Sequence, residues 1–207
     1  MTENDRLIIF VRNPEKGKVK TRLAKAIGDE QATALYRKML LYTREVTKGL
    51  NADKCVYYSE NVNNNDLWDN MVFDKHLQQG EDVGERMQNA FAEAFAAGKQ
   101  RAIIIGSDCI ELETYMIKEA FAVLESNDVV LGPAKDGGYY LIGMRKFLPT
   151  LFEDKTWSTP DVLMDTILDL KKMDAKYYLL KTLNDIDTIE DLDGLDKFPE
   201  QKSEDWF

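Results

Sequence analysis

Four stretches of the 207-residue chain combine residue types that could act together. From Arg12 to Lys25, six basic residues (Arg12, Lys16, Lys18, Lys20, Arg22, Lys25) stand against one acid, Glu15. Gly17 lets the backbone approach a ligand, and Lys20 and Arg22 suit phosphate oxygens, the arginine through a bidentate fork. The ordinary alternative is a solvated loop that balances acids elsewhere. A P-loop is not the explanation, because its Gly and Gly-Lys-Ser/Thr spacing is missing. Gly106-Ser107-Asp108 follows the apolar run Arg101–Ile105. An acid there stands at the carboxyl edge of a sheet, where Mg²⁺ or Mn²⁺ is held by one or two carboxylates plus substrate phosphate. A plain loop or cap acid is the alternative. In Pro133-Ala-Lys-Asp-Gly-Gly-Tyr-Tyr140, the paired glycines suggest close backbone approach or a tight turn, and Asp136 is a catalytic carboxylate or the turn's own acid. In Asn184-Asp-Ile-Asp-Thr188, Asp185 and Asp187 alternate across Ile186 and point the same way if the segment is extended. Thr188, with Asp191 three residues on, reads as a helix cap and leaves Asp187 free for a second task.

Composition excludes several classes. The formal net charge is −10, which disfavours nucleic-acid binding. The acids concentrate late: Asn184 to Asp205 holds nine acids and two lysines. The aliphatic run Leu7–Val11 is far short of a membrane span, and the N-terminus has no basic-then-apolar signal pattern. Cys55 and Cys109 lack metal-ligand spacing, which fits a reducing cytoplasm. The single histidine, His76, lies in a polar stretch, so Ser-His and Cys-His hydrolase designs are excluded unless His76 is the base. Oligomeric state leaves no signal in the sequence.

These residues need elements to hold them. Short apolar runs predict strands at Leu7–Val11, Lys54–Tyr58, Arg101–Ile105, Asp128–Leu131, Tyr139–Met144 and Lys176–Leu180. Apolar residues at helical spacing predict helices over Asp29–Lys48, Val83–Ala97, Thr114–Glu125 and Asp161–Met173, with a short acidic helix over Thr188–Leu195. Asn61–Asn70 reads as a surface loop. Alternating strands and helices imply an α/β/α layered fold with a mostly parallel sheet, formed as one domain over residues 1–207 with a weakly ordered tail from about Asp196. In such sheets ligands bind beyond the carboxyl ends of the strands, where the candidate loops fall.

Six segments carry a resemblance: Pro14–Leu23, Gly80–Met87, Ile105–Asp108, Pro133–Gly143, Trp157–Thr159 and Asp185–Leu192. In order along the chain, they resemble the bacterial glycosyltransferase-like family of nucleotide-diphospho-sugar transferases with the GT-A fold. That family was formerly a domain of unknown function and is described as a radical-SAM/selenodomain-associated transferase. Some of its members are assigned to arsenosugar biosynthesis. More distantly, the segments are similar to phospholactate guanylyltransferase and the molybdenum-cofactor guanylyltransferases. The chain departs from the family pattern at Ile110, where proline is usual, and at Arg12, where lysine is usual.

The resemblance implies a Rossmann-like GT-A fold with a mostly parallel mixed sheet. It places Arg12, Gly17, Lys20, Thr21 and Arg22 on the nucleotide, and Gly80, Gly84 and Arg86 beside the nucleoside. Asp108 and Asp187 would hold Mg²⁺ or Mn²⁺. Gly137, Gly138, Tyr139, Tyr140, Trp157 and Ser158 would line the sugar or acceptor side, with Asp136 the carboxylate near the chemistry, and Lys20 and Arg22 supporting it. The implied partners are a nucleotide-sugar or nucleoside triphosphate and a small-molecule acceptor, with no nucleic acid and no membrane. Glycosyl transfer is the leading expectation. Nucleotidylyl transfer with pyrophosphate release is the alternative, and a non-catalytic nucleotide-binding protein is the third.

Overall fold

The computed structural model describes residues 1–192. The expected tail, and the last residues of the expected acidic helix, lie outside the described residues. The strands are β1 (Asp5–Val11), β2 (Asp53–Tyr58), β3 (Asp74–Leu77), β4 (Arg101–Ile105), β5 (Val129–Pro133), β6 (Tyr139–Met144) and β7 (Tyr177–Leu179). The helices are α1 (Thr21–Ile27), α2 (Asp29–Lys48), α3 (Val83–Ala96), α4 (Thr114–Val123) and α5 (Val162–Lys172).

One seven-stranded sheet runs β3-β2-β1-β4-β6-β5-β7. All neighbours are parallel except β6, which is antiparallel to β4 and β5. This is the mixed, mostly parallel sheet that the sequence implies. The central strands are buried on both faces, so their residues alternate between two cores. Leu7, Ile9 and Val11 of β1 and Ile103 and Ile105 of β4 join Leu23, Tyr36, Met39 and Leu40 of α1 and α2 and Ile117 and Phe121 of α4. Ile8, Ala102 and Ile104 point the other way, onto Met87 and Phe91 of α3 and Leu170 of α5. Helices therefore cover both faces.

Among the strands and α-helices, two were not expected. β3 is polar (Asp-Lys-His-Leu) because it is an edge strand bonded only to β2, and its His76 stacks on Tyr57 at 4.7 Å. α1 is seven residues long and buries one side chain, Leu23, too little to leave a helical pattern. Within the described residues, the expected acidic helix reduces to a 3-10 turn at Glu190–Leu192. No helix among the described residues is long and apolar enough to cross a membrane.

The topology sets the site. Strand order reverses around β1, whose neighbours are β2 and β4. The crevice at the carboxyl ends of β1 and β4 is where such a sheet can hold a ligand. β5 runs parallel to β4, so the turn from β5 to β6 reaches the same rim.

Candidate active site

Two cavities open along this rim. The first, about 470 Å³, has an apolar floor of Phe10, Ile104, Ile142 and Met87 and a polar mouth that includes Arg12, Gln78 and Arg86. The second, about 580 Å³, is walled by Lys20, Thr21, Arg22, Asp136, Trp157 and Asp187 among others. They share Arg12, Tyr36, Val83, Met87, Asp108 and Tyr139, so they adjoin as one groove with Asp108 at the junction.

The junction is held by Tyr36. Its hydroxyl accepts from the Arg12 backbone N–H at 2.8 Å and lies 2.9 Å from Ser107 Oγ. One buried residue of α2 thus ties the loop after β1 to the loop after β4. Burial and the Asp108 charge push the Tyr36 hydroxyl well above the ordinary tyrosine range, so it stays protonated. The sequence presents Tyr36 only as one more residue of an apolar helix face.

At the rim, Asp108 and Asp187 share one cation, the ammonium of Lys20. Its Nζ lies 2.8 Å from Asp108 Oδ1 and 3.0 Å from Asp187 Oδ1, and its side chain is 4% exposed. Burial alone would lower the lysine's pKa; the charges of Asp108 and Asp187 more than offset it and hold it above the usual value. Lys20 has a left-handed backbone, φ +48°, a conformation that costs a non-glycine residue about 1–2 kcal/mol. Arg22 is different. Its side chain is exposed, and its Nη1 stands 3.9 Å from Asp187 Oδ2.

The segment carrying Asp187 is strapped across the end of β4. The Ile186 N–H donates to the Asp108 carbonyl at 3.0 Å, and the Asn184 N–H donates to Glu111 Oε2 at 3.0 Å. Asp191 caps the strap: its Oδ2 accepts from the backbone N–H groups of Asp187 and Thr188 and from the Thr188 hydroxyl. The strap also brings in Asp185. Its Oδ1 is buried with no hydrogen-bond partner among the described residues. Burial, with the charges of Asp108 and Asp136, pushes its carboxyl up to about 7. The sequence showed the Asp185/Asp187 alternation, but the orphaned oxygen is visible only in three dimensions.

The other residues named from sequence divide in two. Arg12, Arg86, Gly138, Tyr139, Tyr140, Trp157 and Ser158 line one cavity or both, as Lys20, Thr21 and Arg22 do. Asp136 also lines the second cavity, while its Oδ1 accepts from the Gly138 N–H at 2.9 Å and shapes the turn. Gly17, Gly80, Gly84 and Gly137 are not on either wall. Gly17 serves a turn at φ +78°. A Cβ on Gly80 would come 2.8 Å from the Arg86 backbone nitrogen. Gly84 makes room for Trp157, and Gly137, at φ +92°, makes room for the Pro160 carbonyl. Lys16 and Lys18 are occupied on the surface by Glu30 and by Glu15 and Glu60. Asn13 and Gln78, not singled out from sequence, fix the mouth of the first cavity. Asn13 Oδ1 accepts from the Glu60 and Asn61 N–H groups, and Gln78 Nε2 donates to the Val11 and Tyr57 carbonyls.

Among the described residues, one group of three potential metal ligands has its atoms within 4.8 Å of one another: Asp53, Cys55 and Asp74, at the start of β2 and β3. Its chemistry does not suit a metal. Asp53 is paired with Arg6 at 2.7 Å and Lys99 at 2.8 Å, and burial pushes the Cys55 thiol up to about 12, which keeps it protonated.

A GT-A-like α/β sheet with carboxylates at the switch-point rim defines the class of nucleotidyl and sugar transferases. Residues 42–159 match the family described as "Uncharacterized protein conserved in bacteria (DUF2064)". A crystal structure of a candidate nucleotide-diphospho-sugar transferase from Desulfovibrio desulfuricans G20 is 34% identical, covers 98% of this chain and 90% of that one, and has a TM-score of 0.86. The chain belongs to the DUF2064 family. The inositol-1-phosphate CTP transferase of T. maritima shares the fold at 14% identity, covering 91% of each chain with a TM-score of 0.54. Rv0371C of Mycobacterium tuberculosis H37Rv, in complex with manganese, shares it at 12% identity, covering 90% of this chain and 95% of that one, with a TM-score of 0.51. No curated protein matches the sequence. The fold and the 34% identical relative support a transferase enzyme.

Proposed function

We propose that the protein transfers a sugar from a nucleotide-diphospho-sugar to a small acceptor. The observation that carries this is the pair of adjoining cavities meeting at Asp108, with Asp187 and Arg22 beside the junction. The nucleoside enters the first cavity, its base over the apolar floor of Phe10, Ile104 and Met87. Gln78 has spent both amide hydrogens on backbone carbonyls, so only its oxygen remains, ready to accept from a base's N–H. The diphosphate lies at the junction, and the sugar enters the second cavity against Trp157 and Tyr139. The relative from Desulfovibrio supports this donor class.

The rim fits Mg²⁺ or Mn²⁺ by its donors. Hard carboxylate oxygens of Asp108 and Asp187 already share a cation, the Lys20 ammonium, and the orphaned Asp185 oxygen lies in the same acidic group. A divalent ion held there by Asp108 and Asp187 would neutralise the leaving diphosphate. Lys20, Thr21 and Arg22 take the phosphate oxygens turned toward the loop. Asp136, at the wall of the second cavity with one oxygen outside the turn, accepts the proton of the acceptor hydroxyl. The acceptor oxygen then bonds to the anomeric carbon as the carbon–oxygen bond to the diphosphate breaks, and the nucleoside diphosphate leaves with the electron pair. The unpaired cysteines support action in a reducing cytoplasm.

Nucleotidylyl transfer uses the same rim. In that reading a phosphate oxygen of the acceptor attacks the α-phosphorus of a nucleoside triphosphate and pyrophosphate leaves. The fold shared with the T. maritima CTP transferase supports keeping it. Incubation with nucleotide-sugars and nucleoside triphosphates, Mn²⁺ and a panel of acceptors separates the two. Release of nucleoside diphosphate supports sugar transfer. Release of pyrophosphate replaces it with nucleotidylyl transfer. Metal-dependent nucleotide binding without turnover of any donor points to the non-catalytic reading.

A further inference from the structure

Lys20 stands where a divalent ion bridging Asp108 and Asp187 would stand. Its ammonium is within hydrogen-bond distance of both carboxylates, at 2.8 and 3.0 Å, and the side chain is almost fully buried. The basic loop could have presented this lysine to the open groove, as it presents the exposed Arg22. Instead the left-handed turn at Lys20 starts α1 with the ammonium between two acids, one of them 167 residues distant in sequence. Asp185, in the same acidic group, is left with an oxygen that no donor among the described residues satisfies. Asp108 and Asp187 thus share one internal cation, with the buried Asp185 carboxyl beside them.

We infer that Lys20 is the built-in counter-ion of the metal-free protein, and that a divalent cation binds the rim tightly only once Lys20 has moved onto the phosphates of the nucleotide. This rests on the proposed reading of the rim. Lys20 and the divalent ion then compete for the same oxygens, so the protein alone binds metal weakly. A nucleotide diphosphate group offers the ammonium new acceptor oxygens and frees both carboxylates. Metal and nucleotide therefore bind with positive coupling, and the coupling is reciprocal. The consequence is an order of loading: metal–nucleotide fills the rim readily, and free metal fills it only at a concentration high enough to displace Lys20.

The test is Mn²⁺ binding followed by electron paramagnetic resonance, with and without a nucleoside diphosphate, for the wild type and Lys20→Gln. Removal of a contacting unit charge should tighten binding of Mn²⁺ alone by about tenfold or more. It should also shrink the nucleotide-induced gain in Mn²⁺ affinity seen in the wild type. If the wild type takes up Mn²⁺ with nucleotide but Lys20→Gln binds Mn²⁺ alone no more tightly, the inference is wrong and the metal reading stands. If neither protein binds Mn²⁺ under any condition, both fail. A second measurement needs no variant. Amine labelling of Lys20 in the wild-type protein, read by mass spectrometry, should be slow without metal and rise when Mn²⁺ alone is raised to saturation. Unchanged labelling at saturating Mn²⁺ also overturns the inference.

Discussion

Gly84→Ala should cost stability through Trp157 and through nothing else. A Cβ built on Gly84 falls 2.0 Å from Trp157 Nε1, 2.1 Å from Cε2 and 2.5 Å from Cζ2, far inside ordinary contact. The indole has little freedom to retreat, because it also stacks on Phe152 with ring centres 6.2 Å apart. Overpacking of this kind costs about 1–3 kcal/mol. Gly84 is the second residue of α3, so alanine returns at most about 1 kcal/mol of helix propensity. A net loss of about 1–2 kcal/mol remains, a fall in Tm of roughly 2–8 °C for a chain of this size. Denaturant unfolding of Gly84→Ala, Trp157→Ala and the double variant closes the cycle. In the Trp157→Ala background the clash is gone, and Gly84→Ala should be neutral or slightly stabilising. A coupling energy above about 1 kcal/mol is the predicted outcome. An equal cost of Gly84→Ala in both backgrounds would refute the packing role and return Gly84 to the nucleotide side.

Asp185→Asn should raise the Tm of the metal-free protein at neutral pH, because it removes a carboxylate charge that burial and the neighbouring Asp108 and Asp136 disfavour. The same change should weaken Mn²⁺ binding in the presence of nucleotide. A lowered Tm would show that the carboxylate is structurally partnered. Asp128 gives a pH prediction. Burial alone would raise its carboxyl, but the Lys176 N–H and the Arg145 and Lys146 charges more than offset this and hold it below the usual range. A depressed acid contributes stability above its unfolded pKa of about 3.9 and loses it as pH falls through the folded value. Asp128→Asn should therefore be less stable than wild type by about 1–2 kcal/mol at pH 7, allowing for the part-exposed Arg145. Urea midpoints should converge as pH falls through the folded value; a gap that stays constant into the acid would contradict the sign.

The elements that the sequence revealed are those with redundant signals. β4 is an apolar run bounded by a charge and a glycine, and α2 carries buried residues Ala32, Tyr36, Met39, Leu40 and Thr43 at helical spacing. β3 and α1 escaped because each buries too little to impose a pattern. In the site, residue types were legible but long-range pairing was not. Charge density could not show that Lys16 and Lys18 would find Glu30 and Glu60, or that Lys20 would sit between Asp108 and Asp187. The glycines teach the same lesson. Gly84 and Gly137 mark close approach, as expected of glycine, but what approaches is Trp157 and the Pro160 backbone. Nothing local in the sequence names that neighbour.

The most direct measurement is the stoichiometry of Mn²⁺ bound in the presence of a saturating nucleoside diphosphate, for the wild type, Asp108→Asn and Asp187→Asn. The arrangement at the rim predicts one nucleotide-dependent Mn²⁺ per wild-type chain and its loss in both variants, with their folds intact by circular dichroism. Full Mn²⁺ binding retained in both variants would contradict the shared-cation rim on which the proposed chemistry depends.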